Sequence, residues 1–131
     1  MVPSLIQHCV NEVEVRGLNT VGLYRVPGPE REVKELKDKF LRGKGVPNLA
    51  RYDIFSVCGC LKDFLRSLQE PLIGRWFWRD FDIASQISDS VKRRSEFERI
   101  IDELPPPNQD TLAFLILHLL RLVVHFLNYD Y

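Results

Sequence analysis

Apolar residues recur along most of this chain at intervals of three and four, the spacing that places them on one face of an α-helix. The first such stretch ends near Gly17. Its apolar positions are Leu5, Ile6, Cys9, Val10 and Val13. A second stretch begins at Pro29, a residue favoured in the first helical turn, and ends at Arg42 and Gly43. The pattern therefore predicts two amphipathic helices in the first third of the chain.

A third helix is predicted to begin after Asp53, a residue type preferred at the N-cap, and to end before Pro71. Its apolar positions are Ile54, Val57, Cys58, Leu61, Phe64, Leu65 and Leu68. Residues 71–79 are aromatic without a helical period, so we expect them to be irregular. Two shorter helices are expected around residues 81–87 and 97–104.

The last predicted helix follows three prolines at residues 105–107, with Asn108 expected as its cap. Residues 112–127 are apolar nearly all round, a pattern typical of a helix in the middle of a core. We interpret His118 within it as a hydrogen-bonded core or edge histidine. The apolar run is interrupted by polar residues and is too short for a convincing membrane span. Because helical periods recur and strand patterns do not, the predicted fold class is all-α.

Composition limits the possible classes of function. The 131 residues fit one domain, residues 1–131. The 18 basic and 18 acidic side chains cancel, so no overall field favours nucleic acid or an anionic membrane. Cys9, Cys58 and Cys60 lack the spacing of a usual zinc or redox motif. We therefore expect reduced thiols, no metal site, no membrane insertion and a cytoplasmic protein.

Arg25 lies in a short loop bounded by Gly22 and by Pro27-Gly28. Glycine and proline stop regular structure, so the loop is expected to be stiff. An arginine at the tip of such a loop can enter the phosphoryl-transfer site of another molecule as an arginine finger. The ordinary alternative is an exposed arginine without function, with Tyr24 serving as a core anchor.

Lys62 and Arg66 are four residues apart on the third predicted helix and therefore share a face. Gly59 lies three residues before Lys62, on the same side. A glycine inside a helix costs about 1 kcal/mol, which is acceptable where another backbone must come close. The helix thus presents two long cations beside a notch. The alternative interpretation is a solvated basic edge with a tolerated glycine.

Three segments together resemble the signatures of the RhoGAP domain family. They are Gly-Leu-Tyr-Arg-Val-Pro-Gly at 22–28, the Lys-x-x-x-Arg segment with Glu-Pro-Leu at 61–72, and Leu-Pro-Pro-Pro-Asn with Thr-Leu at 104–112. They occur in the family's order and spacing and cover nearly the whole chain. Residues 9–13, 33–37 and 110–115 are most similar to the cytokinesis members of the family, which belong to the centralspindlin complex.

This resemblance implies a helical bundle that activates a Rho-family small GTPase, Rho, Rac or Cdc42. Arg25 would enter the partner's site in trans, and no catalytic activity of the chain's own is expected. GTP and Mg²⁺ would belong to the partner, so no cofactor is expected here. The GTPase-binding residues would be Lys62, Arg66, Tyr24 and Gly28, with Lys62 on the partner's switch region and Arg66 bracing the finger loop.

The sequence also departs from the family pattern. Residues 128–131 stand where the family continues into a segment with a further GTPase-binding asparagine, so we expect a C-terminally truncated bundle. The helix at 112–127 would then lose part of its cover. Trp76 and Trp78 are expected to pack in the core or at its rim. The rival hypothesis is a non-catalytic GAP-like module that binds a GTPase or a scaffold partner. For the closer resemblance, we expect a centralspindlin partner and a place at the spindle midzone or midbody.

Overall fold

The computed structural model describes residues 1–128, which form six α-helices and one 3₁₀ turn, with no strand in that range. The helices are α1 (Ser4–Arg16), α2 (Glu30–Arg42), α3 (Ile54–Arg66), α4 (Arg75–Ser85), α5 (Ser90–Glu103) and α6 (Pro106–Leu127), and the turn is Leu49–Arg51. The all-α prediction is confirmed. The departure from the family pattern was expected at residues 128–131. Of these, residues 129–131 lie outside the described residues.

The first three helices begin and end where local chemistry places their boundaries. The Asp53 carboxylate accepts the Phe55 N–H at 2.8 Å, which confirms Asp53 as the N-cap of α3. Gly17 and Gly43 follow the last residues of α1 and α2, as predicted. Pro29 is the residue before α2 rather than its first residue. Helix α3 ends at Arg66, earlier than the predicted boundary at Pro71.

The core lies where α3 packs against both α1 and α2. The apolar positions predicted for α1 are all buried. From α3 the fully or nearly fully buried residues are Ile54, Ser56, Val57, Cys58, Cys60 and Leu61. The three cysteines are buried and unpaired, as expected for reduced thiols. This three-helix core carries the loop of residues 17–29, which joins α1 to α2.

Helix α4 corrects two predictions. Residues 75–79 are helical, although the aromatic stretch to residue 79 was expected to be irregular. Trp76 and Trp78 are 78% and 63% exposed, so their predicted place in the core or at its rim is wrong. The helix turns Phe81 inward instead, where its ring lies 5.9 Å from the Phe97 ring of α5. The largest aromatic side chains therefore face solvent because helical phase, not size, sets which residues α4 buries.

Helix α6 begins two residues before the predicted cap. Pro105 occupies the N-cap position and Pro106 begins the helix, a place where the missing N–H of proline costs nothing. The Asn108 side chain does not cap α6, so that prediction is wrong. Its Nδ2 instead donates to the Leu72 carbonyl at 2.8 Å, which ties the start of α6 to the segment after α3.

The predicted central position of α6 is also wrong. Thr111 and His118 are its only buried residues, while one side touches the core through half-buried Phe114, Leu115 and Leu122. The exposed large apolar residues of α6 are Ile116, Leu117, Leu119, Leu120, Val123, Val124, Phe126 and Leu127. This exposure agrees with the expectation that α6 lacks part of its cover.

By length and composition, α6 could cross a membrane, contrary to the sequence-based expectation. The helix has 22 residues because it extends back to Pro106, and its most apolar 18-residue window has a mean hydropathy of 1.8. Only 11% of that window is buried. Core helices of soluble proteins can have the same length and composition.

The packing of α2 predicts a sharp difference between two leucines on that helix. Leu36 is fully buried, whereas Leu41 is 56% exposed. Leu36→Ala should lower the free energy of unfolding by about 2–5 kcal/mol because it leaves a cavity. Leu41→Ala should change it by less than about 0.5 kcal/mol. Urea unfolding followed by circular dichroism measures both, and equal losses would contradict the assigned orientation of α2.

Candidate functional site

The loop between α1 and α2 makes a tight turn that ends at Arg25. The Gly22 carbonyl accepts the N–H groups of both Arg25 and Val26, at 2.9 and 2.8 Å. Gly22 has φ 82°, and Tyr24, the residue before Arg25, has φ 66°. A positive φ is easy for glycine but uncommon for tyrosine, so contacts elsewhere must hold Tyr24 in place.

The Arg25 side chain is exposed at this turn. Within residues 1–128 it makes no hydrogen bond or ion pair. One guanidinium nitrogen lies over Gly22, 3.3 Å from where a Cβ of residue 22 would be. The guanidinium therefore keeps its five N–H donors available for another molecule.

Lys62 on α3 reaches this loop. Its half-buried ammonium donates to the Tyr24 carbonyl at 2.7 Å. Arg66, one helical turn further along α3, is exposed and makes no hydrogen bond to the loop within the described residues. In the free chain, Lys62 rather than Arg66 is therefore bonded to the loop that carries Arg25, whereas the resemblance implied that Arg66 would brace this loop.

The predicted cations converge on one side of the molecule. Arg25, Lys62 and Arg66 all line a cleft of about 330 Å³. Glu30 and Asp63 line the same cleft, so its charge is mixed but predominantly positive. The loop that carries Arg25 and the basic face of α3 therefore lie together in the folded chain, which the sequence alone did not show.

Two glycines at the cleft show how closely the loop and helices pack. A Cβ on Gly28 would lie 2.6 Å from the Ser56 backbone nitrogen, so only glycine fits against the first turn of α3. A Cβ on Gly59 would lie 2.8 Å from a Val33 methyl group. The notch at Gly59 is therefore filled by a side chain of α2 and not by a second backbone. Gly28 and Gly59 both set the distance between the loop, α2 and α3.

The Tyr24 side chain points inward, toward α6. Its hydroxyl lies 2.7 Å from Nε2 of His118. Nδ1 of His118 lies 2.9 Å from a carboxylate oxygen of Glu14 on α1. Arg121 also donates to Glu14, through Nε and, at 3.0 Å, through Nη2. The prediction of a hydrogen-bonded core histidine is confirmed, since both ring nitrogens of His118 have partners.

Burial and hydrogen bonding shift the pKa values of this group in identifiable directions. Burial lowers the pKa of His118 more than the Glu14 carboxylate raises it. Burial works against ionisation of Glu14, but hydrogen bonds from Arg121 and His118 outweigh it and lower its pKa. Burial raises the pKa of Tyr24. Near neutral pH the three groups are therefore a neutral phenol, a neutral imidazole and a carboxylate.

Sequence reasoning missed Glu14 and Arg121. Neither residue belongs to a motif, and Glu14 is 104 residues from His118 along the chain. The available signal was the presence of His118 on an apolar helix, which required polar partners from elsewhere in the fold.

Two of the four cations between residues 37 and 44 form ion pairs in the free chain. Lys37 pairs with Asp63 at 3.0 Å, and Lys39 pairs with Glu35 at 3.1 Å. Acidic partners therefore neutralise part of this basic segment, and its surface is mixed in charge. Among residues 1–128, no group of three or more metal-ligating side chains could hold a metal ion.

Comparison with known proteins identifies the class. The sequence model of the RhoGAP domain family matches residues 3–126. The chain therefore belongs to the RhoGAP domain family.

Among curated relatives, the chain is 48% identical to Rac GTPase-activating protein 1 of Mus musculus over 122 residues. It is 35% identical to the probable Rho-GTPase-activating protein 7 of Schizosaccharomyces pombe over 125 residues. Both alignments cover 92% of this chain, but only 19% and 18% of the relatives. The chain thus spans about a fifth of the length of these relatives.

Solved structures agree with the fold. Human Rho GTPase activating protein 15 superposes with a TM-score of 0.89 at 35% identity, over 95% of this chain and 60% of that one. The BH domain from GRAF, the GTPase regulator associated with focal adhesion kinase, gives a TM-score of 0.87 at 31% identity, over 93% and 66%. These shares fit the expectation of a shortened helical bundle.

The lowered pKa values predict a pH dependence of stability. The unfolded chain protonates its histidines near pH 6.5, whereas folded His118 resists protonation, so acid favours the unfolded state. Stability contributed by His118 is therefore present above about pH 6.5 and is lost as the pH falls below it. The contribution of Glu14 follows at lower pH, below about 4.5. Urea unfolding at pH 7 and pH 5 should show a smaller free energy of unfolding at pH 5.

The variant His118→Gln separates this effect from other titrating groups. Glutamine keeps a hydrogen-bonding group near the position of Nε2 but does not titrate. Its free energy of unfolding should fall less than that of the wild type between pH 7 and pH 5. Identical losses in the two proteins would show that His118 does not carry the effect.

Proposed function

We propose that this chain is a GTPase-activating domain for Rho-family small GTPases and that it supplies Arg25 in trans. One observation carries the proposal. An exposed arginine without an intramolecular partner in residues 1–128 stands on a braced loop beside two further cations. Membership of the RhoGAP domain family and the names of the relatives support the same conclusion.

The chemistry needs a cation and a rigid support. Negative charge spreads over the equatorial oxygens of a transferring phosphoryl group, and an arginine supplied by a partner neutralises it. In the related Ras–GAP case such an arginine accelerates hydrolysis by about 10³–10⁵-fold. That corresponds to roughly 4–7 kcal/mol of barrier. Since the contribution is electrostatic, it depends on how firmly Arg25 is held before the partner arrives.

The remaining candidates divide between support and contact. Lys62 supports the loop through the Tyr24 carbonyl, and Gly28 seats the loop on α3. Arg66 is exposed at the same cleft, so we assign it to direct contact with the GTPase. GTP and Mg²⁺ belong to the partner in this scheme, and the chain brings no cofactor of its own.

The relatives guide the choice of partner. The similarity to Rac GTPase-activating protein 1 supports a Rac-type GTPase as the first to test, beside Rho and Cdc42. A role in cytokinesis with a centralspindlin partner, and a location at the spindle midzone or midbody, stay predictions from the closer sequence resemblance.

Substitution of Arg25 tests the proposal directly. Single-turnover hydrolysis of GTP by Rac, Rho and Cdc42 proteins should be faster with the wild-type chain than without it. Arg25→Ala should remove about 10³-fold or more of the acceleration, because no other group replaces the guanidinium. Binding to the GTPase loaded with a non-hydrolysable GTP analogue should largely survive.

Arg42→Ala is the matched control, since Arg42 is an exposed arginine at the end of α2 and does not line the cleft. It should leave both rate and binding unchanged. If the wild-type chain binds a GTPase without accelerating hydrolysis, the chain is the non-catalytic module and the proposed role of Arg25 is wrong.

A further inference from the structure

Tyr24 is attached to the rest of the fold at both of its ends. Its carbonyl accepts from Lys62 at 2.7 Å, and its hydroxyl lies 2.7 Å from Nε2 of His118. The carbonyl belongs to the same peptide unit as the N–H of Arg25, so fixing Tyr24 also fixes the start of the next residue. Together with packing against the core, these two hydrogen bonds hold tyrosine at φ 66°, a backbone conformation that it rarely adopts.

The charge state of Glu14 decides which way these hydrogen bonds run. An ionised carboxylate can only accept, so it takes the proton on Nδ1 of His118 at 2.9 Å. A neutral imidazole then has a lone pair on Nε2, which accepts the Tyr24 hydroxyl. Arg121 donates to the same carboxylate and keeps it ionised. Each polar group in the chain Arg121–Glu14–His118–Tyr24 thus has a partner of the correct kind.

Water is a poor substitute for this arrangement. His118 is 1% exposed, and its ring meets the Tyr24 ring edge-on with centroids 5.7 Å apart. A buried hydroxyl or imidazole that loses its partner keeps the full cost of desolvation. The fold therefore offers the Tyr24 hydroxyl a buried hydrogen-bonding partner on α6, and that partner is itself bonded to Glu14 on α1.

We propose that Glu14 and His118 are positioning residues for Arg25, acting through the hydroxyl of Tyr24. They touch neither nucleotide nor partner in this scheme. They select the loop conformation in which the exposed guanidinium lies at the basic cleft with its donors unpaired in residues 1–128. The effect on hydrolysis rests on the proposed function, whereas the effect on the loop does not.

The first experiment reads the loop without any GTPase. Tyr24→Phe removes one oxygen atom and keeps the ring. The amide hydrogens of Arg25 and Val26, both bonded to the Gly22 carbonyl, should exchange about fivefold faster or more in this variant. Nuclear magnetic resonance on the full chain measures that exchange.

Tyr52→Phe is the matched control for this experiment. The Tyr52 hydroxyl, like that of Tyr24, is hydrogen-bonded to other side chains, Lys39 at 2.8 Å and Glu35 at 3.1 Å, but neither belongs to the loop that carries Arg25. Its loss should leave exchange at Arg25 and Val26 unchanged. Unchanged exchange in Tyr24→Phe, or equal acceleration in both variants, would overturn the proposal.

The second experiment separates positioning from binding. At saturating concentration, Tyr24→Phe should reduce the single-turnover rate constant for GTP hydrolysis about fivefold, while the Kd for the GTPase changes by less than about twofold. Glu14→Gln should act in the same direction because an amide no longer fixes the proton on Nδ1. The double variant should lose no more of the rate constant than the more impaired of the two single variants, since both substitutions break one chain of contacts.

The two experiments fail in distinguishable ways. If the wild-type chain does not accelerate hydrolysis, the proposed function is wrong, and the exchange measurement alone then decides the positioning role. If it does accelerate hydrolysis, a loss of affinity equal to the loss of rate would place Tyr24 in the binding surface. Additive losses in Glu14→Gln and Tyr24→Phe would likewise overturn the proposed coupling.

Discussion

The arrangement around Arg25 depends on the two hydrogen bonds that hold Tyr24, one at its carbonyl and one at its hydroxyl. The loop between α1 and α2 is otherwise anchored by its turn at Gly22 and by the close packing of Gly28 on α3. Tyr24 adopts a backbone conformation that tyrosine rarely takes, and these two bonds help to offset the cost of that conformation. An arginine that acts by electrostatics benefits from that order, since less reorganisation is left for the moment of reaction.

The distribution of charge matters more here than its sum. The chain has equal numbers of basic and acidic side chains, yet Arg25, Lys62 and Arg66 share one cleft. Both acidic side chains there are paired with lysines that do not line the cleft, Asp63 with Lys37 and Glu30 with Lys34, each at 3.0 Å. A locally positive cleft on a neutral protein can attract a negatively charged site on a partner without binding polyanions in general.

Sequence patterns predicted the first three helices well, because each combines an amphipathic repeat with a clear boundary such as Asp53 or Gly43. They failed for α4, because Trp76 and Trp78 were expected to be buried for their size, whereas the helix buries its opposite side. They also failed for Asn108. Asparagine favours the N-cap, but the helix begins two residues earlier at Pro106, where the missing backbone N–H of proline costs nothing. The preference of one residue decides a helix boundary only when no neighbouring residue has a stronger preference for the same place.

The site shows the same division between local and long-range information. The loop that carries Arg25 and the Lys62–Arg66 pair are local motifs, so the sequence alone predicted them and the family resemblance that relates them. The contacts that hold Tyr24 are long-range: Lys62 is 38 positions and His118 is 94 positions further along the chain. No rule of residue spacing predicts such contacts. For the same reason the bracing role fell to Lys62 instead of Arg66, since only the folded chain shows which side chain reaches the loop.

The central claim is that a pre-positioned Arg25 stabilises charge on a transferring phosphoryl group. The most direct measurement is the affinity of the chain for a Rho-family GTPase bound to GDP, with and without aluminium fluoride, which imitates that group. Wild-type affinity should rise about 10²-fold or more when fluoride is added, as expected for a transition-state mimic, and Arg25→Ala should show almost none of this gain. An equal gain in the two proteins would contradict the account, because the complementary charge would then come from a group other than Arg25.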